Sequence, residues 1–109
     1  MVELRSTVSL AGSSGMAYTY WVFPIDWVGS QEPGNYVFAK VAEPSGWAII
    51  YVGETDNFKN RLSTQRSNQD IMCYGPTHVL AHVNGSTVNR YLEERDLIAA
   101  LHPPGNKQR

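Results

Sequence analysis

The chain has 109 residues, 42% apolar and 17% charged, with a formal net charge of −1. This length holds one small domain without a second core, the composition excludes disorder, and the near-neutral charge gives no overall basic signature for nucleic acid. The one cysteine, Cys73, excludes an internal disulfide and fits a reducing cytoplasm.

Charge is unevenly spread. Residues 1–58 carry two basic and six acidic side chains, residues 59–109 seven basic and four acidic, so the second half offers a modest positive face to phosphates. No stretch approaches the ~18 apolar residues of a membrane span, and the first 15 residues lack a signal-peptide apolar run. A soluble, cytoplasmic protein is expected. Cys73 lies in the apolar run Ile71-Met72-Cys73-Tyr74, which predicts a buried or half-buried structural thiol.

In chain order, residues 1–15 read as a flexible N-terminus, with Ala11-Gly12-Ser13-Ser14-Gly15 frayed. Residues 16–109 then form a single domain with its core at 34–106. MAYTYWVF, residues 16–23, is a strand of aromatic and β-branched residues ended by Pro24, and residues 25–33 form a loop. A hairpin follows, with arms at residues 34–41 and 47–52. Its turn, Glu43-Pro44-Ser45-Gly46, has the Pro and Gly of a type I turn. A tip at Pro44-Ser45 places Phe38 opposite Tyr51 and makes Tyr36 the diagonal neighbour of Tyr51 on the same face. A one-residue change of register would separate the two tyrosines onto opposite faces.

Thr55, Asp56 and Asn57 are three successive N-cap candidates for a helix from about Asp56 to Gln65. Residues 66–75 read as a loop or broken helix. Thr77 to Val83 is a strand with His78, Leu80 and His82 on one face. Ser86 or Thr87 caps a second helix from Val88 to Leu101, stopped by Pro103-Pro104-Gly105. The fold class is α+β: a small, mostly antiparallel sheet flanked by helices, with an extra N-terminal strand.

Five elements stand in order along the chain: Gly34-Asn35-Tyr36, Tyr51-Val52-Gly53, Arg61, Glu94-x-x-Leu97-Ile98, and Pro103 with Asn106. Each alone is weak, but the ordered set resembles the GIY-YIG nuclease family, which includes the N-terminal nuclease domain of the incision subunit of bacterial excision repair. The resemblance covers residues 34–106, or 16–106 with the extra strand. It implies a DNA endonuclease that hydrolyses phosphodiesters with one divalent cation, Mg²⁺ or Mn²⁺. By position it implies that Glu94 binds the metal and Arg61 steadies the phosphate. It further implies that Tyr36 or Tyr51 helps deprotonate the attacking water, and that Asn106 supports the site. Gly53, Thr55, Lys59 and Gln65 are the remaining substrate-side candidates.

These residue types suit that chemistry. A hard divalent ion takes carboxylate oxygen and tolerates few protein ligands, the rest being water and phosphate. Arginine brings a permanent charge in a planar fork that matches phosphate. A tyrosine, with a pKa near ~10, needs a cationic neighbourhood to act as a base at neutrality.

Blander roles exist for the same residues. Tyr36 and Tyr51 could be ordinary strand aromatics, Arg61 a solvated helix residue, and Glu94 the i, i−4 partner of Arg90. On a helical wheel Glu94 falls beside the apolar stripe, Glu93 and Asp96 point further away, and Arg95 falls within it. His78 and His82 read as sheet residues. Three positions depart from the family pattern. Glu54 follows Tyr-x-Gly where several members have Lys, and would repel phosphate unless it faces away or helps hold metal. Gln65 stands where members often have His and cannot accept a proton. Asn35 replaces an aliphatic residue at what reads as an edge position. A non-catalytic nucleic-acid- or partner-binding module on the same scaffold is the alternative. Exposed Trp21, Trp27 and Trp47 would give a contact patch for a homodimer or a protein partner supplying specificity.

Overall fold

A computed structural model describes residues 6–42, 44 and 46–106. Its elements are β1 (Thr7–Ala11), β2 (Ala17–Pro24), β3 (Gly34–Val41), β4 (Trp47–Thr55), α1 (Phe58–Gln65), α2 (Gln69–Met72), β5 (His78–Val83) and α3 (Thr87–Leu101). The five strands form one sheet in the order β1-β2-β5-β3-β4, every neighbouring pair antiparallel. The α+β class with an antiparallel sheet is therefore as expected.

Alternation along the strands sends apolar side chains to both faces, and each face has its own helical cover. On one face Tyr36, Phe38, Val79 and Ala81 pack with Phe58 and Leu62 of α1 and Ile71 of α2. On the other, Tyr20, Val37, Val52 and Leu80 pack with Leu97 of α3. β4 is an edge strand, so the side chains of α1 and α3 can meet around it.

The β3–β4 hairpin resolves the register question in an unforeseen way. Phe38 does pair with Tyr51. Nearer the turn, though, Ala39 pairs with Ile49 and Val41 with Trp47, one residue out of step with the upper pairs. The β-bulge between these stretches falls at Ile50. A bulge adds one residue to one strand and restores parity, so Ile50 and Tyr51 both pack against the α1 side of the sheet. Of the Glu43–Gly46 turn, positions 43 and 45 lie outside the described residues.

Several expectations are corrected. Thr7–Ala11, read as part of a flexible terminus, is strand β1, paired with β2 from Thr7↔Trp21 to Ala11↔Ala17; residues 1–5 lie outside the described residues. β1 went unseen because its alternation is short, with Leu10 its one buried residue. The turn after it is not frayed. Asp96 of α3 accepts from Ser14 N at 2.8 Å, Ser14 Oγ at 2.7 Å and the Tyr18 hydroxyl at 2.8 Å. Cys73 is exposed at the C-cap of α2. The three tryptophans form no single patch. Trp21 is exposed, but Trp27 stacks on Phe23 beside the α1 core and Trp47 packs edge-on against His78 by the other core.

Helix ends follow local chemistry. Asn57 caps α1 by accepting from Asn60 N, and Ser86 caps α3 by accepting from Asn89 N. His102 closes α3 in the left-handed region at φ 47°. Among the described residues no helix is long and apolar enough to cross a membrane.

Candidate active site

The Tyr36 and Tyr51 rings face each other with centroids 6.0 Å apart and planes inclined at 29°. Tyr36 is buried and Tyr51 half-buried. Tyr36 fits because Gly53 lies opposite it: a β-carbon at Gly53 would collide with the Tyr36 ring and hydroxyl. Gly34 is equally confined, by the His82 carbonyl and the Phe58 ring. The glycines at the two ends of the motifs thus make room for strand packing and for the tyrosine pair.

Gln65, buried at the end of α1, donates from Nε2 to the Tyr36 hydroxyl at 2.8 Å, while its Oε1 accepts from Asn68 Nδ2 at 3.1 Å. Burial pushes the Tyr36 phenol up, and the neighbouring Tyr51 pushes it further; Gln65 and the Arg61 charge act in the opposite sense. Tyr36 is therefore held as a neutral phenol.

Glu94 is half-buried on α3. Loss of solvent raises its carboxyl, Glu54 raises it further, and Arg95 and Arg61 draw it down. The charge of Arg61, exposed on α1, is thus felt at both Tyr36 and Glu94.

Asn106 fastens that edge. Its Oδ1 accepts from Val52 N at 2.8 Å and its Nδ2 donates to Val52 O at 2.9 Å, much as a sixth strand would. Gly105 N donates to Ile50 O at 2.7 Å, satisfying the carbonyl of the bulge. The C-terminal segment therefore locks the residues on both sides of Tyr51.

Not every candidate joins this group. The Thr55 hydroxyl is consumed by the turn into α1, accepting from Asn57 N at 3.0 Å and donating to Asn57 O at 3.1 Å. Lys59 is exposed, but it leaves α1 about 200° around the helix from Arg61, beside Ser30, whose carbonyl accepts from Lys59 N.

The residues that sequence reasoning misplaced lie on α3 and its sheet face. Arg90 pairs with Glu54 and not with Glu94, its Nε donating at 3.0 Å. Glu93, expected to point away, is buried and accepts from the Tyr20 hydroxyl at 2.6 Å; His82 Nδ1 lies 2.9 Å from its Oε2. Arg95, placed within the apolar stripe, is exposed. Asn35 is not at an edge, because β3 runs between β5 and β4. It is fully buried, donating to the Arg90 carbonyl at 2.9 Å, and its Oδ1 has no partner among the described residues. The available signal was the polarity of this face: Tyr20, Asn35 and His82 bring polar groups onto the strands, and Arg90 and Glu93 bring them onto the helix that covers those strands.

Among the described residues no group of three or more His, Cys, Asp or Glu gathers as a ready-made metal cage. Glu94 offers half-buried carboxylate oxygen, the donor type that a hard cation takes. It fits a cation held by few protein ligands, with water and phosphate completing the shell.

No family model and no curated protein matches the chain. Solved structures do. Three variants of the GIY-YIG N-terminal endonuclease domain of UvrC from Thermotoga maritima, each described as bound to its catalytic divalent cation, superpose with TM-scores of 0.60–0.61. Identity is 21–22% over 74% of this chain and 89% of that domain. One variant replaces an asparagine with alanine and two replace a tyrosine with phenylalanine. The chain has the GIY-YIG nuclease-domain fold.

Proposed function

We propose that the protein is a metal-dependent endonuclease that hydrolyses DNA phosphodiester bonds. What supports this reading is the facing pair Tyr36–Tyr51 together with the charge of Arg61, which acts on both Tyr36 and Glu94, on a fold shared with an endonuclease domain.

In this reading Arg61, exposed and permanently charged, binds the scissile phosphate and draws it to the β4 edge. Tyr51, the less buried of the pair, meets the attacking water and orients it or takes its proton, while Tyr36 stays neutral behind it and fixes the Tyr51 ring. Gln65 fixes Tyr36 in turn. Water oxygen bonds to phosphorus as the bond to the leaving oxygen breaks, and Arg61 offsets the charge on the phosphoryl oxygens. Glu94 would hold Mg²⁺ or Mn²⁺, which supplies Lewis acidity for the leaving oxygen and a lower pKa for nearby water. Glu54 bears its charge next to Arg90, which limits its repulsion of phosphate.

One observation favours a second reading, a DNA-binding module without turnover: burial keeps Tyr36 from ionising and Gln65 cannot take a proton. Nicking of supercoiled plasmid with Mg²⁺ or Mn²⁺, run beside Glu94→Ala, separates the two. Metal-dependent nicking lost in the variant is expected. Salt-sensitive DNA binding without nicking by the wild type would favour the module.

A further inference from the structure

We propose that Glu54 is a second carboxylate of the cation site, with Arg90 as the positioning residue that holds it beside Glu94. The inference rests on the reading of Glu94 as a cation ligand.

The argument is geometric. Glu54 leaves β4 on the same face as Val52, the face that α3 covers, and so away from Tyr51. Its Oε1 accepts from Arg90 Nε at 3.0 Å. Arg90 and Glu94 are four residues apart on α3, one turn along the same side of the helix, and helical side chains lean toward the N-terminus, so the Glu94 carboxylate is directed back toward the turn that carries the Arg90–Glu54 pair.

Arg90 is built to hold one position. It is buried, with Nη1 donating to Asn84 O at 3.1 Å, Nη2 to Thr87 Oγ1 at 3.4 Å, and its own carbonyl accepting from Asn35. Its bond to Glu54 uses Nε alone, where a bidentate fork would engage both carboxylate oxygens. No hydrogen bond among the described residues reaches Glu54 Oε2. One oxygen is thus anchored and the other left for a cation or for a water that the cation binds. A carboxylate so oriented by a buried group is the usual form of outer support at a metal site.

The test needs no DNA and no turnover: Mn²⁺ binding to the free protein, followed by the loss of free-ion electron paramagnetic resonance signal. Wild type, Glu54→Gln and Glu94→Ala are compared, each checked for folding by circular dichroism. Glutamine keeps an oxygen for Arg90 Nε and removes only the charge. Glu54→Gln is expected to raise the Mn²⁺ Kd about tenfold, and Glu94→Ala to abolish measurable binding. Glu54→Asp, which keeps the charge but draws it back, gives an intermediate Kd and serves if the glutamine variant misfolds. An unchanged Kd in Glu54→Gln, with binding lost in Glu94→Ala, overturns the proposal while sparing the reading of Glu94. Unchanged binding in all variants overturns both.

Discussion

The Tyr36 ring occupies the space in which a β-carbon of residue 53 would lie. A glycine in one motif is thus a packing requirement of the tyrosine in the other, across the β3–β4 ladder where the two residues pair. Gly53→Ala should cost about 1–3 kcal/mol in urea unfolding, as overpacking of a tight core does. It should also lower cleavage by displacing the tyrosine pair. Gly85, with nothing near its missing β-carbon, is the control: Gly85→Ala should be neutral or stabilising by up to about 1 kcal/mol.

Asn106 supplies both hydrogen bonds that Val52 makes outward from β4. Asn106→Ala should remove about 1–3 kcal/mol. It should also speed hydrogen exchange at Val52 selectively, with β2 and β5 amides unaffected. Uniform acceleration across the sheet would show global destabilisation and refute a local lock.

Arg61 is exposed, so its removal should leave stability untouched while plasmid nicking falls about 10²–10³-fold, the usual loss when one charge-stabilising donor is deleted. Arg61→Lys should restore only part of the rate, because a point charge lacks the planar fork. An Arg61→Ala enzyme as active as wild type would remove Arg61 from the mechanism.

The Arg90–Glu54 pair should respond asymmetrically to truncation. Glu54→Ala strands a buried guanidinium and should cost about 2 kcal/mol, less than the 3–5 of a fully buried pair because the Glu54 side chain is 35% exposed. Arg90→Met removes the buried charge itself and lets Glu54 hydrate, so about 1 kcal/mol or less is expected. Denaturant unfolding of the two variants checks the order.

Alkaline pH should destabilise the protein. Burial raises the phenols of Tyr20 and Tyr36, with Glu93 adding to the effect at Tyr20 and Tyr51 at Tyr36. Their unfolded values are near ~10. The folded state therefore keeps protons that the unfolded state releases, so the stabilisation is full below about pH 10 and is lost as pH rises beyond it. Urea midpoints at pH 8, 10 and 11 should fall in that order, and Tyr36→Phe should flatten the decline.

Much of this molecule was legible in one dimension. Turn residues and alternation placed β2 to β5, and capping chemistry placed α1 and α3, because those signals depend on neighbours in the chain. The pairing of Phe38 with Tyr51 holds, but not for the reason the turn offered: the strands leave the turn one residue out of the register that a tip at Pro44-Ser45 sets, as Val41↔Trp47 shows, and the bulge at Ile50 restores it. By contrast, β1 carries little pattern of its own and is defined by its partner strand and by the Asp96 contacts with the turn after it.

By itself the sequence determined the residue types at the candidate site and the order in which they arrive, since these are local motifs read along a chain. Only the tertiary structure decided the environment of each. Strand order made β3 central and so buried Asn35, which looked like an edge residue. The face of α3 that packs on the sheet turned Glu93 inward, left Arg95 to solvent and gave Arg90 to Glu54 in place of Glu94. Burial and partner choice are properties of contacts between residues far apart in sequence, and a charged side chain is assigned its role by whichever opposite charge the fold brings within about 3 Å.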